Sequence, residues 1–368
     1  MLKQAISLII VALSFFSVHA YSNIFIKQTN VDIPPFAKLN TDDLCKVAQS
    51  VVDYQSIEQS DYAWRETPLI PDEFSPERVK DTLTFICKLV KEGRGDLLTN
   101  TDFLNQHFTF YQWMPDLVKA GELATASKNK RKAEMLNAIP SDKIFLTKYY
   151  TKRLLGSDVK TAEFPVALYQ LPYDEIGMSK KEAVEKKNTL TRFKYTRQEI
   201  ISGILEQKNL AKPLIWLSEE GLHDVLLQGT GVLDVDGKIR YFNVHRNNGI
   251  AYDYTLGKSE QARYWYFSEV NGIKGYGHAI ESKIDLMPRV SFAGNIKQLG
   301  LGKLIVVGFN DKKLRRSFMG VLADEGGAFD NNLFQLDWLV ESYFGWHDYH
   351  QSNKQYPDYA NAWLLIKK

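Results

Sequence analysis

The sequence predicts a mainly β protein that opens with a group of helices. Three observations carry this. Apolar residues repeat at helical spacing in several stretches between about residues 41 and 126. From Ile144 the repeat shortens towards two. Beyond that point short apolar runs alternate with glycine turns, which favours β-barrels over a parallel α/β sheet.

Residues 21–40, with Pro34-Pro35, read as an extended lead-in. Thr41 can cap a helix through about Ser56, with Leu44, Val47, Val51 and Tyr54 in its stripe. Pro68 to Pro76 is a break. Ser75-Pro76 opens a second helix, with Val79, Leu83, Ile86 and Val90 on one face and Gly93 at its end. A third helix covers Asp102 to Phe110, and a fourth lies within Met114 to Ala126. The lysine-rich run at 128–132 reads as solvated surface. Phe145 to Thr151 reads as a strand, and so does Phe164 to Leu171, closed by Pro172. Residues 179–194 form a basic insertion, either a solvated loop or a contact for anionic cell-wall polymer. Thr196-Arg197-Gln198-Glu199 is a capping box for a helix to about Lys208. Strands follow at Leu214–Leu217, Val225–Gln228, Val232–Val235 and Ile239–Val244, the last two joined by the hairpin pair Asp236-Gly237. Arg263–Phe267, Val290–Phe292, Leu304–Val307, Phe318–Ala323 and Trp363–Ile366 complete the strands.

The chain has 368 residues and a formal charge of +2, too balanced for nucleic acid as the main partner. Lys3, the apolar run Ala5–Phe16 and Val18-His19-Ala20 together read as a cleavable secretory signal over residues 1–20. The run is short for a membrane span, and no cysteine stands at the cleavage site for a lipid. The expected location is therefore periplasmic or secreted. In such an oxidising compartment the two cysteines, Cys45 and Cys87, are expected to form a disulfide, with two buried thiols as the alternative.

The stretch Val321 to Trp338 concentrates the chemistry. A buried strand ends in Asp324-Glu325-Gly326-Gly327-Ala328, and a second apolar segment delivers Asp337. Two carboxylates thus flank a glycine turn. They fit a solvated loop, or an acid–base pair facing a bound substrate. Gln228-Gly229-Thr230-Gly231 fits a tight turn, or an open backbone against a sugar; it is no dinucleotide motif, since no third glycine follows at the required spacing. His347-Asp348-Tyr349-His350 reads as a surface turn rather than a metal site. No zincin, serine-elbow or catalytic-cysteine signature is present, so carboxylate chemistry is the best-supported enzymatic option, with no cofactor and no metal.

Taken in order, these motifs resemble the membrane-bound lytic murein transglycosylase A (MltA) family with its C-terminal three-aspartate domain. The resemblance rests on Lys148-Tyr149-Tyr150-Thr151-Lys152, on Phe164 to Pro172, on Thr196 to Ile200 and on Gln228 to Gly231. It continues through Asp236-Gly237, Asn248-Gly249-Ile250-Ala251-Tyr252, Pro288 to Asn295, Asp324 to Ala328 with Asp337, and the last strand at Ala362–Ile366.

The resemblance implies a double-psi β-barrel built from residues 21–150 with 284–368, and an inserted β-domain at 151–283. It implies a monomeric exotransglycosylase cutting peptidoglycan between N-acetylmuramic acid and N-acetylglucosamine to leave a 1,6-anhydro end. Asp337 would be the acid and base, its pKa raised by burial or by the like charge of Asp324. Tyr149, Tyr150, Thr151, Gln228, Gly229, Thr230, Gly231 and Ser291 would line the sugar subsites. The chain departs from the family where its first aspartate is Asn295 and where the glycine loop runs Gly327-Ala328-Phe329-Asp330-Asn331.

Overall fold

Two capped helices and a disulfide open the computed structural model, which describes residues 24–65, 71–312, 314–326, 329 and 332–368. The expected signal at Met1–Ala20, the proline break at Pro68 and most of the glycine loop (Gly327, Ala328, Asp330 and Asn331) lie outside these residues. After strand β1 (Phe25–Gln28), helix α1 (Thr41–Ile57) is capped by Asn40 rather than Thr41; the Asn40 side chain accepts the Asp43 N–H. Helix α2 (Pro76–Lys91) is capped by Ser75 and followed by Gly93 at φ 71°. Cys45 and Cys87 join the two helices as expected, with Cα atoms 4.8 Å apart.

One expectation then fails. Helix α3 ends at His107 (Thr101–His107), and Phe108–Trp113 is strand β2, paired antiparallel with β1. Its aromatic run buries Phe108 and Phe110 on one sheet face, where tertiary packing overrides the helical spacing. After helix α4 (Leu117–Ala126), the lysine-rich run is exposed as expected, and it also begins an unforeseen helix α5 (Lys130–Asn137), capped by Asn129. Only Leu136 of that helix is buried, so it had no apolar stripe to announce it.

Strand β3 (Ile144–Leu155) is the spine of the molecule. From Phe145 to Lys152 it pairs parallel with a late strand, and from Arg153 to Leu155 it pairs parallel with a strand of the middle region. That middle region has its own core, including Leu168, Ile215, Leu233, Phe242 and Tyr266. It contains β4 (Val166–Tyr169), α6 (Lys180–Glu185), α7 (Arg197–Ile201), α8 (Ile204–Gln207), β5 (Pro213–Leu217) and α9 (Glu219–Gln228). The meander β6 (Thr230–Val235), β7 (Lys238–Asn247) and β8 (Trp265–Val270) follows. The capping box forms at Thr196, but Gly203 at φ 94° divides the expected helix into α7 and α8. The expected strand Val225–Gln228 is the end of α9: Ser218 caps that helix and Gly229, at φ 77°, stops it. Asp236 and Gly237 make the hairpin with both φ values positive.

The short pair β9 (Ile273–Lys274) and β10 (Asp285–Leu286) leads back to the first core. There β11 (Ser291–Ala293), α10 (Ile296–Leu299), β12 (Leu304–Asn310), β13 (Arg315–Asp324), β14 (Gln335–Tyr343), α11 (Trp346–Asn353) and β15 (Tyr359–Lys367) complete a large mixed sheet. Its path runs β3–β14–β11–β13–β12–β15, and β15 pairs again with β3 through Tyr359↔Phe145 and Ala360↔Ile144. The β3–β14 and β11–β13 pairings are parallel. Gly320 makes the crowded crossing possible, since a Cβ there would come within 2.7 Å of the Val290 carbonyl and 2.8 Å of the Phe292 ring. The enclosed core includes Leu146, Phe292, Ile305, Val321, Leu336 and Trp338. Among the described residues no helix is long and apolar enough to cross a membrane.

Candidate active site

The two carboxylates meet at one residue. Ala293 of β11 is the register partner of Asp324 on β13 and of Asp337 on β14. Thr147 of β3 is in turn the partner of Asp337. Register partners point to the same side of a sheet, and Tyr149 lies two residues along from Thr147. One face therefore carries Thr147, Tyr149, Asp337, Ala293 and Asp324. Two strand spacings put the aspartate backbones about 10 Å apart, with only the methyl group of Ala293 between them.

Around Asp324 the bonds are explicit. Its Oδ1 accepts the Glu325 N–H at 2.9 Å, and the Tyr149 hydroxyl donates to its Oδ2 at 3.4 Å. Asp337 is partly exposed as a residue, yet its Oδ1 is buried and has no hydrogen-bond partner among the described residues. Six other buried side-chain atoms of the described residues share this state, but Asp337 Oδ1 is the one carried by an acid on this face.

Burial dominates the electrostatics. It pushes the Asp324 carboxyl up to about 7, against the Glu325 N–H, the Lys283 charge and the Tyr149 hydroxyl. It pushes Asp337 up to about 6, against the Thr147 hydroxyl and the Lys148 charge. Of the two causes expected for Asp337, burial is the operative one, and the charge of Asp324 is not among them. Burial likewise brings Lys283 down to about 8, with Asp324 pulling the other way. Both carboxyls thus hold their protons to near-neutral pH, as a general acid requires.

The profile of the MltA specific insert domain matches residues 145–259. Solved structures match over nearly the whole chain. A membrane-bound lytic murein transglycosylase from Agrobacterium tumefaciens is 14% identical with a TM-score of 0.56, covering 93% of this chain and 97% of that one. The chain carries the MltA-specific insert domain on an MltA fold. MltA from Neisseria gonorrhoeae is 14% identical, TM-score 0.56, covering 93% and 92%. E. coli MltA with bound chitohexaose is 16% identical, TM-score 0.53, covering 93% and 94%. No curated protein matches by sequence.

Within this MltA fold several expected sugar contacts serve other ends. Ser291 is fully buried and its Oγ accepts the Met287 N–H, so it is not a sugar contact. Thr151 is buried and shares a 2.6 Å hydrogen bond with Ser342 across β3 and β14. Thr230 is buried with its hydroxyl on Asn243 Nδ2, and Gly231 lies against Val225 and Phe242. None of these presents a free face. Tyr150 alternates away from Tyr149 and stacks on Tyr349 of α11 at 4.7 Å. Tyr149 alone of this group reaches an aspartate. Gln228 is exposed, with its Oε1 on the Lys152 N–H, and Gly229 is the helix stop. Asn295 caps α10, accepting the Gln298 N–H at 3.2 Å, a job that an aspartate does equally well. His347 and His350 lie on α11, a helix where a turn was expected. No group of metal-binding side chains occurs among the described residues.

A cleft of about 910 Å³ is lined by none of these face residues; its link to them is Lys283, whose charge acts on Asp324. One wall is β7 with the loop before α6; the other is the excursion between β9 and β10 that carries His278, Glu281 and Lys283. Lys283 donates to Asn243 Oδ1 at 2.7 Å and to the Val244 carbonyl at 3.3 Å. The excursion is tied to the aspartate strand, since the Tyr276 N–H donates to the Ala323 carbonyl. Lys283, His278 and Arg246 belong to no motif, and nothing in their local sequence marks them. Trp265 and Phe193 add aromatic faces to the cleft.

Proposed function

We propose that this chain is a peptidoglycan lytic transglycosylase with Asp337 as its single acid and base. The observation that carries this is the buried, unpartnered Asp337 oxygen on the face that also bears Asp324. Asp337 starts protonated and gives its proton to the glycosidic oxygen leaving C1 of N-acetylmuramic acid. The resulting carboxylate takes the proton of the C6 hydroxyl as that oxygen bonds to C1. The proton count closes, and no water enters the bond. Intramolecular attack needs no second carboxylate to activate water, and proximity lowers the barrier. Asp324, with the Glu325 N–H on its Oδ1 and Tyr149 on its Oδ2, holds the end of β13 beside the reacting sugar; having the higher pKa of the two, it keeps its proton while Asp337 does. Gln228 and Gly229 border the sugar path.

The closed strand path with its two parallel pairings supports the double-psi reading of the barrel, with residues 151–283 as the inserted domain. We place the monomeric mature protein, after removal of residues 1–20, in the periplasm or outside the cell, acting on glycan strands without a cofactor. The test is product analysis by mass spectrometry after digestion of sacculi. Anhydro-muramic ends support the proposal. Reducing ends would instead assign Asp324 and Asp337 to a hydrolase, and binding without products would leave a wall-binding protein.

A further inference from the structure

We propose that the cleft lined by Arg192, Arg246 and Lys283 binds the free carboxylates of peptides carried on the glycan, making the protein selective for peptide-bearing over bare strands. The inference rests on the peptidoglycan reading above. It starts from an imbalance of charge. Glu175 is fully buried, and its one carboxylate holds two guanidinium groups: Arg192 Nε at 2.7 and 2.9 Å, and Arg246 Nη1 at 2.8 Å. Backbone carbonyls complete the clamp, Asn247 for Arg192 and Met178 for Arg246. One net positive charge is left at the wall of the cleft.

The opposite wall adds to it. Lys283 has its amine on carbonyl oxygens, with no carboxylate in ion-pair contact among the described residues. His278 is held at the edge by buried Asp61, its Nε2 3.2 Å from Oδ2, so this pair adds no net positive charge. Lys180 adds another exposed cation, and Glu281 is the acidic side chain of the lining. An uncharged saccharide has nothing to meet this field. A peptide carboxylate matches it, because fixed guanidinium groups bind carboxylates through paired charge-assisted hydrogen bonds. The aromatic faces of Trp265 and Phe193 accommodate the uncharged part of the same ligand.

The ligand side gives the cleanest test. Binding to the Asp337→Asn protein is measured by calorimetry for three probes of equal glycan length: peptide-bearing strands, strands with every peptide carboxylate amidated, and peptide-free strands. The expected order is peptide-bearing strands tightest by about tenfold, the value of one good charge-assisted contact, with the other two alike. The advantage falls further in Arg246→Gln and in the exposed variant Lys180→Gln, which carries no folding role, and it shrinks with added salt. Equal affinity for free and amidated peptides overturns the inference while leaving the glycan reading intact. No binding of peptide-free strands, with peptide binding retained, overturns the glycan reading and leaves the anion site.

Discussion

Asp324 and Asp337 are register partners of the same residue, Ala293, one from each side. A sheet rather than a loop thus sets their separation, with one buried alanine between them. Ala293→Leu puts bulk between the two carboxyls. We expect loss of glycan cleavage with the fold retained, checked by product release and circular dichroism; undiminished cleavage would move the reaction away from this face.

Asp337→Asn removes the proposed acid and base. Activity should fall by about 10²- to 10⁴-fold, the usual contribution of a positioned proton donor. Thermal stability should hold or rise, because an amide in this buried place carries no ionisation penalty. Full activity would reject the assignment.

Both carboxyls have folded-state pKa values raised above the ordinary 3.8, to about 7 and about 6. The native state therefore binds more protons than the unfolded state across this window. Their stabilisation is complete below pH 3.8 and is lost as pH rises towards about 7. Melting temperatures between pH 4.5 and 7.5 should show this slope, and Asp324→Asn with Asp337→Asn should flatten it. Cleavage should decline above about pH 6 as Asp337 ionises.

The Tyr149 hydroxyl favours the ionised form of Asp324. Tyr149→Phe should therefore raise the Asp324 pKa further. Carbon-13 titration of the carboxyl reads this directly, and a fall would show that the contact does not operate.

The Cys45–Cys87 bridge closes a loop with a sequence separation of 42 between α1 and α2. Replacing both cysteines with serine should cost roughly 3–4 kcal/mol in chemical denaturation. An unchanged midpoint would mean that helix packing alone holds the pair.

Much of the outer framework was legible. Leu44, Val47, Val51 and Tyr54 announced α1, Ser75-Pro76 the start of α2, and Asp236-Gly237 its hairpin, because each signal is local. Strand β2 was not, since Phe108–Trp113 takes its conformation from pairing with β1 and β15. Helix α9 hid because Val225-Leu226-Leu227 is too short for periodicity to decide between helix and strand. At the site, Asp324 and Asp337 could be singled out by their glycine turn, whereas Lys283 and Arg246 are ordinary charges until folding brings them to one cleft.

By itself, then, the sequence determined the Ser75 and Thr196 caps, the Asp236-Gly237 turn and the motif order, all of which depend on residues near one another or on residue type. Only the tertiary structure decided which acids share a face and which keep their protons. Register aligns Tyr149, Ala293, Asp324 and Asp337 from far along the chain, and burial, which no single segment creates, raises the two carboxyl pKa values.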